Sequence, residues 1–285
     1  MHRGFREVIS HAEMCVREKT SLQKGMNFRV GNGRGVDAKG VAAQPYCVIL
    51  MSVRRGAPYQ DHWHNEGEHA GLLEYEGHDR ARKVSEWLRN VVGDPKQVDQ
   101  PLTLASGRPT DNGKFFAAAQ AFVAGAAPAE VVQVYEKIIN GVWSDRGRYE
   151  LVDASAKSVP VTGRRHSSSS STRTVLRFFL RPAATPDVST PQEQLALSIG
   201  RQIPTAVKVA VFKRDQGRCV QCGATDNLHF DHDLPHSKGG SSLTEANVKL
   251  LCARHNLQKS DKIVTLGPLL GPLVAAFLAQ ALRGA

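Results

Sequence analysis

The sequence predicts an α+β protein of two domains, and three observations carry that expectation. A chain of 285 residues is long for one core and suits two. Its first two thirds hold short segments rich in β-branched and aromatic residues, bounded by Gly, Pro or charged turns and interrupted by helical stretches. Its last third holds two Cys/His pairs framing a segment too small to bury a core of its own.

Taken in order, Phe5, Val8, Ile9, Ala12, Cys15 and Val16 fall at helical spacing, which predicts an amphipathic first helix. GNGRG at 31–35 lacks the G-x-G-x-x-G spacing of a phosphate loop and reads as a turn or contact loop. YCVILMSV (46–53), RYELVDA (148–154) and TVLRFFL (174–180) predict strands. Between them, RARKVSEWLRNVV places Val84, Trp87, Leu88 and Val91 on one helical face, and KFFAAAQAFVAG does so with Phe115, Ala119 and Phe122. The polar run HSSSSS (166–171) lies between strand-like segments and reads as a hairpin loop. RPAATPDVSTPQEQ, with three prolines in ten residues, is a stiff exposed connection. It divides the chain into domains 1–185 and 192–285.

The second domain opens with the helical TAVKVAVFKRD, followed by LHFDH as a strand, LPHSKGGSS as a loop and LTEANVKLLCARHNLQKSDK as a helix. The closing VTLGPLLGPLVAAFLAQALRGA is apolar, but Pro268, Pro272 and Gln280 interrupt it. It reads as a packing or dimer helix, with no membrane partner.

The formal net charge of +10 favours a polyanion, nucleic acid first and a membrane surface second, because Lys and Arg that neutralise phosphates release condensed counterions. Residues 201–262 hold ten Lys/Arg against six Asp/Glu, so the excess is spread over both halves. Five cysteines and an N-terminus without a signal-peptide core point to a reduced, cytoplasmic chain.

Cys219-x2-Cys222 and Cys252-x2-His255, 29 residues apart, are two chelating pairs that together complete a tetrahedral shell for structural Zn²⁺. The metal then supplies much of the folding free energy of the segment it encloses. The cluster HWHNEGEH (62–69) lacks the two-His helical spacing of zinc peptidases and is broken by Gly, so it does not read as a second metal site.

Cys-x2-Cys, Asp-His, Pro and Gly-Gly, Asn and Leu-Cys, closing before a Lys, follow one another over about 60 residues. This order resembles the HNH endonuclease family and its ββα-metal fold. The resemblance implies that His232 is the general base that deprotonates water, Asp231 a ligand of the catalytic cation, and Asn247 the residue fixing the loop that orients His232. The last family position, often His, is Asn256 here, an HNN variant whose amide oxygen coordinates a hard cation. His255 is a less favoured alternative for that ligand. Oxygen donors such as Asp231 and Asn256 suit Mg²⁺ or Mn²⁺, whereas thiolates select zinc. His229 and His236 read as surface or phosphate-contacting residues.

GAPYQDHW (56–63), LLEYEGHD (72–79), QPLT with Asn112, and GVWSDRGRYELVDA followed by VLRFFLRP are similar in their order to the SRA module, which flips modified cytosine out of a duplex. That resemblance implies a curved β-sheet or partial barrel with flanking helices, in which Tyr59 and Tyr75 sandwich the base and Asp61 accepts its exocyclic amine. The family Asp lies three residues after its Tyr, whereas Asp61 lies two after Tyr59, with His62 in the family's place. A scaffold role for both tyrosines carries similar weight.

Together the halves resemble McrA-type modification-dependent restriction endonucleases. The expected partner is double-stranded DNA carrying 5-methyl- or 5-hydroxymethylcytosine, and cutting two strands implies a homodimer. The rivals are an HNH nicking or nonspecific nuclease without modified-base reading, and a zinc-stabilised DNA-binding protein without activity.

Overall fold

In the computed structural model of the chain, residues 7–23, 25–31, 45–53, 59, 61–64, 66–79, 95–161, 172–183, 203–234 and 241–259 are described. Ten strands and four helices account for their regular structure, a mixed α+β arrangement on one open sheet. The strands are β1 (Glu7–Ile9), β2 (Met26–Asn27), β3 (Cys47–Met51), β4 (His62–Trp63), β5 (Leu73–Glu76), β6 (Glu130–Ile139), β7 (Val142–Pro160), β8 (Thr172–Pro182), β9 (Leu228–His232) and β10 (Val248–Cys252). The helices are α1 (His11–Glu18), α2 (Asp111–Val123), α3 (Thr205–Arg214) and α4 (Ala253–Lys259).

One path through the sheet runs β10-β9-β1-β7-β6-β3-β2, and β8, β5 and β4 continue from the far end of β7. Only β3 and β6 pair in parallel; every other named pair is antiparallel. The 19-residue β7 is long enough to serve β6 over its first half and β8 over its second. Its alternating side chains bury Tyr149 and Leu151, which meet Ile49, Val132, Val134, Tyr75, Phe178 and the α2 residues Phe115 and Ala119 in the main core.

The opposite face of β3 and β6 is covered by α1, whose Met14 joins Val48, Leu50 and Tyr135 in a second cluster. Here Glu18 is buried because it accepts hydrogen bonds from the hydroxyls of Tyr46 (2.6 Å) and Tyr135 (2.5 Å). A third cluster joins α3 residue Val211 to Leu228, Phe230, Val248, Leu250 and Leu251 of β9 and β10.

The strands expected at 46–53, 148–154 and 174–180 are present within β3, β7 and β8, and the helices expected at 114–125 and 205–215 within α2 and α3. Two expectations are corrected. The first helix does not include Val8 and Ile9, which form β1; Ser10 starts α1 through a capping box in which its hydroxyl accepts from Glu13 N and Glu13 accepts from Ser10 N. Likewise 243–262 is not one helix. Glu245–Asn247 is a single 3₁₀ turn, Val248–Cys252 is a strand buried at every position, and only Ala253–Lys259 is α-helical within the described part. Helical periodicity failed there because a short strand buried at every position, Lys249 included, has no alternation that separates it from a helical segment.

The helix expected at 80–92, the HSSSSS loop, the boundary between 185 and 192, and the apolar C-terminal stretch lie outside the described residues.

Two contacts join the elements on either side of that boundary. β1 pairs with β7 on one edge and β9 on the other, Val8 opposing both Ser144 and Leu228. In addition, Glu136 of β6 accepts hydrogen bonds from Lys208 and Thr205 of α3 and from Arg146 (2.9 Å), with Glu136 and Lys208 at most 1% exposed. Burial pushes the Glu136 carboxyl up, but Lys208 and Arg146 outweigh it and hold the group at about 2.

Candidate active site and tyrosine pocket

The metal-ligating residues expected from spacing come together. α3 ends in a turn that leads to Cys219, where Gly223 N donates to Cys219 O and Cys219 N to Ala224 O, both at 2.8 Å. Gly223 has φ +75°, a left-handed conformation that closes this tight turn at little cost without a Cβ. Val220 N then donates to Leu250 O (3.0 Å), fixing the turn against β10, while Cys252 ends that strand and His255 lies on the first turn of α4.

The four ligand atoms all lie within 4.8 Å of one another. Cys219 Sγ and Cys252 Sγ are each 3.4 Å from His255 Nδ1, and Cys222 Sγ is 3.8 Å from Cys252 Sγ. A zinc tetrahedron with ordinary bond lengths has S···S edges of about 3.8 Å and S···N edges of about 3.6 Å, so the donor set fits that ion. A disulfide would need sulfurs about 2.0 Å apart. Burial pushes the Cys219 thiol up, yet backbone N–H groups of Cys252, Gln221 and Cys222 and the His255 ring lower it to about 6, favouring the thiolate a metal requires. Among the described residues this is the one cluster of three or more His, Cys, Asp or Glu able to hold a metal ion.

Asp231 and His232 end β9, opposite Lys249 and Val248 of β10. Asn247, just before β10, clamps the intervening loop at both ends: its Oδ1 accepts from Leu234 N (2.7 Å), and its Nδ2 donates to Leu234 O (3.1 Å) and Ser241 O (3.0 Å). His232 Nε2 lies 2.8 Å from Ser242 Oγ, whose position follows from that clamp. Asn256, one residue past His255, is buried on α4.

Two residues of this site escaped the sequence reading. Lys259 Nζ, on the buried side of α4, donates to Asp231 Oδ2 at 2.6 Å and to the His232 carbonyl. Ser242 contacts the His232 ring directly. The signals were the Lys that closes the motif and the Ser pair after Gly-Gly.

In the N-terminal part, Tyr75 is 1% exposed and lies within the main core, and its Oη is 2.8 Å from His78 Nε2. The His78 ring also stacks on half-buried Tyr59, with centroids 5.4 Å apart and planes 26° from parallel. Lys96 Nζ stands 4.3 Å from the Tyr59 centroid. Burial and the Asp79 charge both push the Tyr59 hydroxyl above its ordinary range. The expected pair of tyrosines is thus linked by an imidazole that the sequence reading passed over.

Asp61 is buried beside this pair and makes two backbone contacts. Its Oδ2 accepts from Ser52 N (2.8 Å) and its Oδ1 from Glu76 N (3.1 Å), so both oxygens tie the end of β3 to β5. Burial pushes its carboxyl up to about 7 against those two hydrogen bonds. Nearby, Arg173 pairs with Asp79 (2.7 Å) and Glu76 (3.6 Å), Arg177 with Glu74 (3.3 Å) and Glu76 (3.4 Å), and Gln100 Nε2 donates to Gly77 O (2.7 Å).

The His64 ring meets those of His62 and His69 edge-on, and its Nε2 lies 2.7 Å from Glu74 Oε2. His229 is buried in β9, and His236 lies outside the described residues.

No protein-family model matches the chain, and no curated relative was found. Solved structures similar to it include the SRA domain of SUVH5 in complex with methylated CHH DNA, at 17% identity and TM-score 0.35 over 64% of this chain and 90% of that one. A second is the type IV phosphorothioation-dependent restriction endonuclease ScoMcrA, at 14% identity and TM-score 0.32 over 93% of this chain and 56% of that one. The DNA modification-dependent restriction endonuclease AspBHI is a third, at 13% identity and TM-score 0.31 over 64% and 72%. Values of this size are too low to transfer a site. Among the described residues no helix is long and apolar enough to cross a membrane.

Proposed function

We propose that the protein is a modification-dependent DNA endonuclease. In this reading residues 1–185 form an SRA-like reader of duplex DNA carrying 5-methyl- or 5-hydroxymethylcytosine, and residues 192–285 an HNH-type domain that hydrolyses phosphodiester bonds. The observation that carries the reading is the Asn247 clamp. An asparagine singled out as the residue that fixes the loop beside His232 makes three hydrogen bonds to that loop, next to a Cys₃His cluster of zinc dimensions.

Hydrolysis needs an activated water, charge neutralisation at the phosphate and help for the leaving oxygen. His232 takes the proton of the attacking water, and Ser242 holds its ring. Asp231 and Asn256 would hold Mg²⁺ or Mn²⁺ through their oxygens, and the ion would supply neutralisation of the phosphate charge. Lys259, donating to Asp231, fixes the carboxylate and adds a positive charge close to it. The net charge of +10 supports attraction to the phosphate backbone in both halves. Cutting both strands uses two copies of the site, so the active form is a homodimer.

The test is cleavage, with Mg²⁺ or Mn²⁺, of one plasmid prepared unmodified, 5-methylated and 5-hydroxymethylated, with His232→Ala as control. Cutting confined to modified plasmid and abolished by His232→Ala is expected. Equal cutting of all three rejects the reader and keeps the nuclease; no cutting by the unaltered protein rejects the nuclease. Tyr59→Ala is expected to erase the preference for modified plasmid, since one base-stacking contact is worth about 1–3 kcal/mol.

A further inference from the structure

The slot between Tyr59 and Tyr75 already holds an aromatic ring of the protein's own. The His78 imidazole stacks on Tyr59 at 5.4 Å and 26°, and its Nε2 is 2.8 Å from Tyr75 Oη. Stacked rings at that separation leave no room for a second disc between them. The ring is also caged from behind: a Cβ placed on Gly25, which has φ +91°, would stand 1.8 Å from His78 Nε2. Gly25 therefore lets the backbone reach the imidazole edge.

The chain at His78 is anchored independently of its ring. Asn112, itself buried, accepts from His78 N (2.9 Å) and donates to His78 O (2.8 Å). Gln100 holds the neighbouring Gly77 carbonyl in the same manner. The backbone that carries His78 is therefore held by contacts that do not involve its ring. Burial keeps the imidazole below its ordinary range, in the neutral form that gives up its place without stripping a charge.

We propose that His78 is the resident occupant of the base pocket. It takes the stacking face of Tyr59 in the DNA-free protein and is displaced when a flipped cytosine enters. The inference rests on the base-reading proposal above. A base enters only if its stacking and edge contacts exceed those of the imidazole, which makes His78 a threshold on entry and hence a specificity-determining residue.

The test is binding of the intact protein, without divalent cation, to a methylated duplex and its unmethylated counterpart. His78→Ala is expected to bind the methylated duplex about tenfold more tightly, the worth of one ring pair or hydrogen bond. Tyr75→Phe, which keeps both rings and removes only the tie to Nε2, is expected to shift affinity in the same direction by less. In the unaltered protein, the His78 ring protons are expected to carry an upfield ring-current shift from Tyr59 by NMR and to lose it on adding methylated duplex. If the unaltered protein prefers methylated DNA but both variants bind it equally or more weakly, His78 is a wall and this proposal falls while the reader stands. If the His78 shift persists at saturation, the occupant does not move and the proposal also falls. Equal binding of both duplexes by the unaltered protein overturns the reader and the occupant together.

Discussion

The metal-framed site draws its parts from between residues 219 and 259, whereas the tyrosine pocket collects Gly25, Tyr59, Tyr75, His78, Lys96 and Asn112 from strands, loops and the first turn of α2, far apart in the chain. The first is a local constellation whose geometry depends on two strands, one short helix and four ligands. The second is assembled by the whole sheet, with buried ion pairs of Arg173 and Arg177 nearby. A local site stands or falls with its staple, and an assembled one with the layers that carry it. Metal removal should therefore have the largest effect of any single change. Cys222→Ser, or a strong chelator, is expected to remove roughly 10 kcal/mol of binding-linked folding free energy. The loss would appear as zinc release, proteolysis within 203–259 and abolished cleavage. Binding of methylated duplex should fall far less; equal loss at both sites would erase the contrast.

The seam between the regions gives the next largest effect. Glu136→Gln leaves Lys208 and Arg146 buried without their shared carboxylate, and breaking one side of such a pair costs about 3–5 kcal/mol. Both regions are expected to melt at lower temperature, because Glu136 lies on β6 and Lys208 on α3, one on each side of the seam. Two separated transitions, only one of them shifted, would show that the seam does not couple them. Smaller again is Asn247→Ala, which frees the loop carrying Ser242 and lets His232 drift. Misplacement of a catalytic group by about 1 Å costs about 10²-fold in rate. Cleavage should fall by about that factor, with duplex affinity and zinc content unchanged.

The same contrast decides what could be read from the residues alone. Cys219, Cys222, Cys252 and His255 were legible because chelation imposes fixed short spacings, whereas Asn247 was singled out only through the family resemblance. The strands at β3, β7 and β8 were legible from β-branched runs bounded by turns. The pocket was legible only in part, since nothing in the spacing from Tyr59 to His78 states that the imidazole stacks on the tyrosine. That contact is made by β5, Gly25 and Asn112 meeting in space. Asp61 was singled out through the family resemblance, and its tie between strands was not legible, because the Ser52 and Glu76 N–H groups it accepts from are brought together only by the fold. β1 hid inside a helical pattern because three residues are too few to set a period.

The gentlest way to sharpen the comparison is pH, because the pocket and the seam carry titratable ties of opposite sign. Asp61 is raised from an ordinary 3.8 to about 7, first by burial, so the folded state holds its proton more tightly than the unfolded chain does. Its stabilising contribution is full below 3.8 and is lost as pH rises through about 7, at no more than about 1.4 kcal/mol per pH unit. Glu136 is depressed from 4.5 to about 2, so its contribution is full above 4.5 and is lost as pH falls through about 2. His78, lowered by burial, opposes Asp61 below its ordinary 6.5, so the Asp61 slope is isolated by subtracting the same titration of Asp61→Asn. Denaturant melts between pH 5 and 7 should then show the unaltered protein losing stability with rising pH relative to that variant. Amide exchange in β3 and β5 should quicken first, since their ends are what Asp61 ties. A flat difference would mean that the carboxylate is already ionised in the fold, with the Ser52 and Glu76 N–H groups outweighing burial.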